Sequence, residues 1–359
     1  VWEWVGRAIV ASGARQLGKA EIVTDANGAP TRTEFDVFGR ALKIFAPGEA
    51  SSSNPTAQYD YFMGNTGVPS RVHVQVRSDL GGTNPATYQH AWWLFDGRGR
   101  LIQKQAQGLN GQTLLANTRY NNLGQAYRAS NPYAISGYDP INTPQYQTPD
   151  WNQPYTQNTF DPIGRVTRTD SPGIPAPTLM TYNHQWMTVT DANGHTKDSF
   201  TDGFGRVTQV VEHNLGATYT TNYGYDTLDR LMDTWDNANN NTHLTYDWLG
   251  RKTTMQDPDM GSWGYEYDNA GNLKRQSDAR GNSLCFLYDE LNRLTEKKAR
   301  QATANCAGGT VAYMVNYFYD DTTNGNKGIG RRTSMTDPTG NTQFVYDLIG
   351  RVMTTTQTI

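Results

Sequence analysis

The groups of this chain that could do chemistry are six histidines, two cysteines and a carboxylate that returns again and again behind an aromatic residue. His73, His90, His184, His195, His213 and His243 form no His-Glu-x-x-His pair, and none stands in a cysteine-rich spacing, so zinc-hydrolase chemistry has no template. Neither a Gly-x-Ser-x-Gly elbow nor a P-loop occurs. "GRGRLI" (97–102), "GFGRVT" (203–208) and "GIGRRT" (328–333) begin like dinucleotide fingerprints but lack the third glycine and lead from strand to strand. Asn-rich acidic loops such as "DNANNN" (236–241) carry oxygen ligands for calcium without an EF-hand pattern. Trp92-Trp93 and Trp2/Trp4 offer faces on which a sugar could stack, although burial between strands is the commoner fate of such residues. No catalytic residue, metal site or cofactor is expected.

Cys285 lies in the apolar run "SLCFLYD" and Cys306 in the loop "QATANCAGGT". Two thiols cannot complete a structural zinc site alone. Either a disulfide closes the excursion between them, which an oxidising compartment permits, or they are unrelated thiols.

The recurring carboxylate is better explained by architecture. Ten copies align on Asp36, Asp96, Asn121, Asp161, Asp202, Asp226, Asp247, Asp268, Asp289 and Asp347, and the residue before is aromatic in all but one, Thr201. Three residues on stand Gly39, Gly99, Gly124, Gly164, Gly205, Asp229, Gly250, Gly271, Asn292 and Gly350. Asp and Asn are the non-glycine residues that best tolerate positive φ, so the slot reads as a left-handed position. Asp opening a type I turn, followed by a left-handed residue, is a standard hairpin loop. Next comes Arg40, Arg100, Arg165, Arg206, Arg230, Arg251, Arg293 or Arg351, replaced by Gln125 and Asn272 in two copies. An arginine there can stack on a neighbouring ring and bond the turn Asp or a carbonyl. The triplets Asp36/Gly39/Arg40, Asp161/Gly164/Arg165, Asp247/Gly250/Arg251, Asp289/Asn292/Arg293 and Asp347/Gly350/Arg351 are therefore expected to be structural turns and clamps.

Between these turns lies a second set, among them "TDANG" (190–194), "DPDMG" (257–261) and "TDPTGN" (336–341). Strand, turn, strand, turn adds up to a unit of about 21 residues. Three regions are expected: divergent hairpins over 1–130, a Pro/Asn-rich irregular crossing over 131–159, and a regular array over 160–359. Pro132, Pro140, Pro144, Pro149 and Pro154 bar the middle segment from being a central strand.

Composition agrees with an all-β chain. Only 36% of the 359 residues are hydrophobic and 18% charged, and mean hydropathy is −0.70. Disorder is disfavoured by 21 Tyr, 11 Phe and 9 Trp at a net charge of −3. Balanced charge supplies no basic stripe for nucleic acid, and no apolar run approaches a membrane span. In strands such as "RKTTMQ" (251–256) neither face is strongly apolar, so lateral aromatic contacts must replace a solid core. The abrupt ends, "VWEWVGRAIV" and "RVMTTTQTI", suggest a piece of a longer protein.

The wording "YDxxGR…TDPxGN…YxYD", best kept over 225–293 and 336–351, resembles the Rhs/YD-repeat family of bacterial polymorphic toxins, insecticidal toxin-complex B and C components and teneurins. The resemblance implies a long antiparallel sheet of hairpins that curls into part of a hollow shell wall, secreted or at the cell surface. It implies a scaffold shielding a C-terminal toxin or effector cargo, with the remainder of the parent chain as its partner. The alternative it allows is an extracellular adhesin or filament that binds glycans or partner cells. An open-ended array is expected to self-associate end to end.

Overall fold

The computed structural model describes residues 2–4, 7–12, 19–49, 53–78, 87–141, 145–214, 216–301, 306–307 and 310–359, with backbone alone over 2–12. The side chains of Trp2 and Trp4, and all of Pro144, lie outside what is described. Among the described residues there are thirty strands, two single-turn 3-10 segments and no α-helix, so the all-β expectation holds. No helix is long and apolar enough to cross a membrane.

Two compact units are present, Val1–Pro177 with Leu348–Arg351 and Thr178–Asp347 with Val352–Ile359. The second is the simpler. Its sixteen strands run from Thr178–Asn183 to Val352–Thr358, and each pairs antiparallel with the next in sequence. Threonine, tyrosine and valine suit a pleated, half-buried surface, and tight turns make each successive pairing local. Burial is shallow because the unit is a single layer. Only Ser283, Cys285, Val315, Asn326 and Thr333 have buried side chains among its described residues.

The first unit builds the same meander from Ile22–Thr24 to Thr113–Tyr120, through strands such as Pro30–Phe35, Ala41–Phe45 and Tyr88–Phe95. The sheet then divides. Thr113–Tyr120 pairs at one end with Tyr133–Ile135 and at the other with Ala126–Ser130, which leads to Tyr155–Phe160 and Val166–Asp170. The segment expected to be irregular over 131–159 thus contributes one short strand and most of another. Pro132, Pro140, Pro149 and Pro154 themselves all lie outside strands. The reason is local: Tyr133–Ile135 lies between Pro132 and Gly137, and among the described residues it pairs with one strand.

This unit does have a core, and its wall is polar. Trp92, Leu94 and Leu115 are buried beside Gln103, Gln105, Thr113 and Asn117. Gln103 Nε2 donates to Asn117 Oδ1 (2.6 Å) and to the Gln147 carbonyl (2.7 Å), and Gln105 Nε2 donates to the Gln145 carbonyl (2.7 Å). Thr113 Oγ1 donates to the Tyr138 carbonyl at 2.7 Å. An extended stretch with no ladder of its own is held against the sheet by side-chain amides, which satisfies backbone groups that burial would otherwise strand.

Candidate functional site

The repeated turn is the one arrangement the chain makes many times. In the copy at 247–251, Asp247 Oδ1 accepts from the amides of Leu249 and Arg251, each at 2.9 Å. Gly250 N donates to the Asp247 carbonyl at 3.0 Å, and Asp247 N to the Arg251 carbonyl at 2.9 Å. Arg251 Nε closes the loop on Asp247 Oδ2 at 2.7 Å. Gly250 sits at φ 79°, and the ladder register shifts between Thr245 and Tyr246, which is a type I turn with a bulge.

The same contacts recur at Asp36/Arg40, Asp96/Arg100, Asp161/Arg165, Asp202/Arg206, Asp226/Arg230 and Asp289/Arg293. The left-handed slot holds Gly39 at 75° and Gly164 at 94°, with Asp229 at 63° and Asn292 at 59° where glycine is absent. Where the carboxylate is missing, Asn121 Oδ1 takes the amides of Leu123 and Gln125 at 3.0 Å each. In the last copy Gly350 has φ 84° and Tyr346 pairs with Val352 across the turn.

Electrostatics follow from this geometry. The Arg251 backbone amide, joined by its guanidinium and the Leu249 amide, holds the Asp247 carboxyl below its ordinary value. At Asp226 the amide of Arg230 does the same. Asp289 is also lowered, here against a burial effect that pushes the other way, by the amide and guanidinium of Arg293. Arg293 bridges two carboxylates, Asp289 (2.6 Å) and Asp320 (2.8 Å), and its own pKa is raised, with Asp320 the larger cause.

The arginine also reaches forward. Arg251 Cζ lies 4.6 Å from the centroid of Tyr267, the aromatic residue of the next copy, and Nη1 points to the next turn's Asp268 carbonyl at 3.4 Å. Arg230 does likewise with Tyr246 (5.0 Å) and the Asp247 carbonyl (2.9 Å). Arg40 lies over Tyr61, Arg100 over Tyr120, Arg206 over Tyr225 and Arg293 over Tyr319 at 4.2–5.1 Å.

Each tyrosine reaches back. Tyr267 Oη donates to the Lys252 carbonyl (2.9 Å), Tyr246 Oη to Leu231 (2.7 Å), Tyr225 Oη to Val207 (2.7 Å) and Tyr288 Oη to Leu273 (3.0 Å). Every accepting residue begins the strand that leaves the preceding turn. Tyr61 plays this part without being followed by Asp-x-x-Gly, so a motif search passes over it. Its signal is an aromatic where a strand returns to the rim.

The two central positions of the turn point outward. Val37, Phe38, Ile163, Phe204, Trp248 and Leu249 are all strongly exposed, Trp248 fully.

Apart from one pair, the histidines are dispersed. His73 Nε2 and His90 Nδ1 stand 3.0 Å apart, with His73 stacked on Trp92, and burial lowers the pKa of both. His195, His213 and His243 each lie beside one carboxylate, Asp191, Asp198 and Asp233, while His184 meets the Asn183 side chain. Thr188 Oγ1 bonds Asp198 rather than His213, so the hydroxyl is not on the base. Among the described residues no three His, Cys, Asp or Glu converge to hold a metal. Trp92 is buried and Trp93 partly exposed. Cys285 and Cys306, for which two readings stood, form a disulfide across a sequence separation of 21.

No protein-family model and no curated protein matches the chain. Solved structures do match in fold. The TcdB2-TccC3-Cdc42 complex superposes with a TM-score of 0.77 at 15% identity, over 97% of this chain and 23% of that one. TcdB2-TccC3 gives 0.78 at 16%, over 97% and 21%. The Photorhabdus luminescens Tc holotoxin pore gives 0.79 at 14%, over 97% and 23%. This chain spans less than a quarter of the length of those chains. At such identity the likeness is one of architecture: the chain has the fold of a segment of these toxin-complex chains.

Proposed function

We propose that the chain is a structural scaffold, a stretch of shell wall that encloses and shields a cargo carried by the same polypeptide and that acts outside the cell. The observation that carries this reading is the forward link from six turn arginines, Arg40, Arg100, Arg206, Arg230, Arg251 and Arg293, to the tyrosine of the following hairpin. It ties hairpins side by side at one rim, so the sheet of the second unit extends with few buried side chains, as a wall can. A closed or continued wall hides its strand edges and acts by exclusion rather than by chemistry, so no catalytic step is assigned to these residues. The Cys285–Cys306 bond suits an oxidising compartment. The fold likeness to chains of Tc toxin complexes supports the same reading, with the rest of the parent chain as partner.

The test is protease protection in the parent polypeptide. Sequence joined to the array should resist cleavage in the native protein and become sensitive once the array is opened by denaturant. Equal cleavage of that sequence with and without the array would overturn encapsulation and favour a surface-exposed, adhesive role.

A further inference from the structure

One hairpin of the second unit lacks the Asp-opened turn among the described residues. The strands Thr178–Asn183 and Trp186–Thr190 are joined by only His184 and Gln185, with Asn183 paired to Trp186, so no turn arginine is present. In the following hairpin Thr201 occupies the slot that elsewhere holds a ring. With both clamp and ring missing, a shallow depression of about 580 Å³ opens there.

Trp186, Phe200, Gln209 and Asn222 line it, and one register row continues from them to Trp235 outside it. Trp186 pairs with Phe200, Phe200 with Gln209, Gln209 with Asn222, and Asn222 with Trp235. Residues directly opposite in antiparallel strands share a face, so the row crosses five strands, roughly 19 Å at the usual strand spacing. Phe200 meets Trp186 edge-on, with centroids 5.5 Å apart at 72°, and the indole is held while 44% exposed. At the other end the benzo edge of Trp235 reaches over Gly224, where a Cβ would come within 3.0 Å of it.

Between the two indoles, Gln209 Nε2 donates to Asn222 Oδ1 at 2.8 Å. That leaves the Gln209 carbonyl oxygen and the Asn222 amide nitrogen with no partner among the described residues. No Asp, Glu, Lys or Arg lines the depression.

We propose that this row is a binding site for a neutral oligosaccharide, with pyranose rings stacked on Trp186 and Trp235 and hydroxyls bonded by Gln209 and Asn222. An ionic ligand would find no carboxylate, lysine or arginine in the lining, and a purely apolar one would strand the two amides. Sugars match both features, a C–H face for the indole and hydroxyls that can serve both a free acceptor and a free donor. The span of the row fits three or four sugar rings. The inference does not rest on the scaffold reading.

The test is calorimetric titration of this chain with maltotriose, tri-N-acetylchitotriose and mannotriose. At least one should bind, and Trp186→Ala and Gln209→Leu should each weaken that binding about tenfold or more, while Trp263→Ala, on another row, should not. Circular dichroism of the variants verifies folding, and Gln209→Leu preserves side-chain volume. Three results would each overturn the proposal: no trisaccharide binding at ~10 mM, affinity unchanged in both row variants, or a neutral proline-rich peptide binding the row where the sugars do not.

Discussion

The guanidinium of Arg251 lies over the ring of Tyr267, 4.6 Å from its centroid, while the hydroxyl of Tyr267 bonds the carbonyl of Lys252, the residue after that arginine. The two side chains belong to consecutive copies and embrace the same backbone corner. One copy therefore cannot loosen at its turn without exposing its neighbour's ring. The period of the motif is the period of this contact, so the Tyr-Asp pair and the Gly-Arg pair repeat together.

A double-mutant cycle on Arg251→Met and Tyr267→Leu should give a coupling energy of about 0.5–1 kcal/mol, the range for an exposed cation–π pair. Tyr267→Phe alone should cost about 1 kcal/mol by removing the bond to Lys252. Hydrogen exchange in Lys252–Asp257 and Gly261–Tyr267 would read both. Independent single-mutant effects would mean that the copies are not coupled at this contact.

At the left-handed slot, Gly250→Asn should be nearly neutral and Gly250→Val should destabilise by about 1–2 kcal/mol. A Cβ there meets nothing closer than Arg230 Cδ at 3.9 Å, so backbone strain alone separates the two variants. Asn292, at φ 59°, already shows that a side chain of this kind fits. Urea titration of both variants is the measurement, and equal stability would argue against strain.

Turn chemistry is local, and this is why so much of the rim could be read from residues: Asp opens the turn, and Asp229 and Asn292 stand where glycine would. The antiparallel all-β fold followed from the same spacing. The forward reach of Arg251 to Tyr267 depends on which strands become neighbours, and a repeat read in isolation contains no such information. The burial of Gln103, Gln105 and Asn117 leaves no mark in the sequence, because in strands whose two faces are chemically alike nothing distinguishes the face that residues 145–150 cover. The gap at Trp186 left one trace, Thr201 in an aromatic slot.

The turn aspartates give the array a common acid response. Asp226, Asp247 and Asp289 all have pKa values below the ordinary one in the folded state, Asp226 and Asp247 chiefly through the amide of the arginine that ends the turn. A carboxylate with a lowered folded pKa contributes stability that is fully present above its unfolded value, about 3.9, and is lost as pH falls through the folded value. The melting temperature should therefore change little from neutrality to about pH 5 on account of these groups and decline steeply below about pH 4. Asp247→Asn should make that decline shallower, since Asn121 holds the same amides without titrating.

Reduction should weaken the second unit. The Cys285–Cys306 bond closes a loop across 21 residues, for which chain entropy gives about 3 kcal/mol. Cys285→Ser/Cys306→Ser should lower stability by an amount of this order, and dithiothreitol should have no effect on that variant. If the unmodified chain is equally stable with and without reductant, the bond contributes nothing.

The strand Val352–Thr358 pairs with Gly340–Tyr346 on one side and has no strand partner on the other among the described residues. Its sequence, VMTTTQT, is exposed along its length and contains no proline or charge, so none of the usual guards blunts the free row of amides and carbonyls. Such an edge is a template for another strand, whether from the parent chain or from a second copy. The 359-residue chain by itself should therefore self-associate with rising concentration. Thr354→Lys/Thr356→Lys, on one face of that strand, should suppress association without altering the melting temperature, because the charges oppose pairing at the edge and leave the hairpin intact. Sedimentation velocity over a hundredfold range of concentration would show it, and a monomer throughout in the unmodified chain would sink the idea of an adhesive edge.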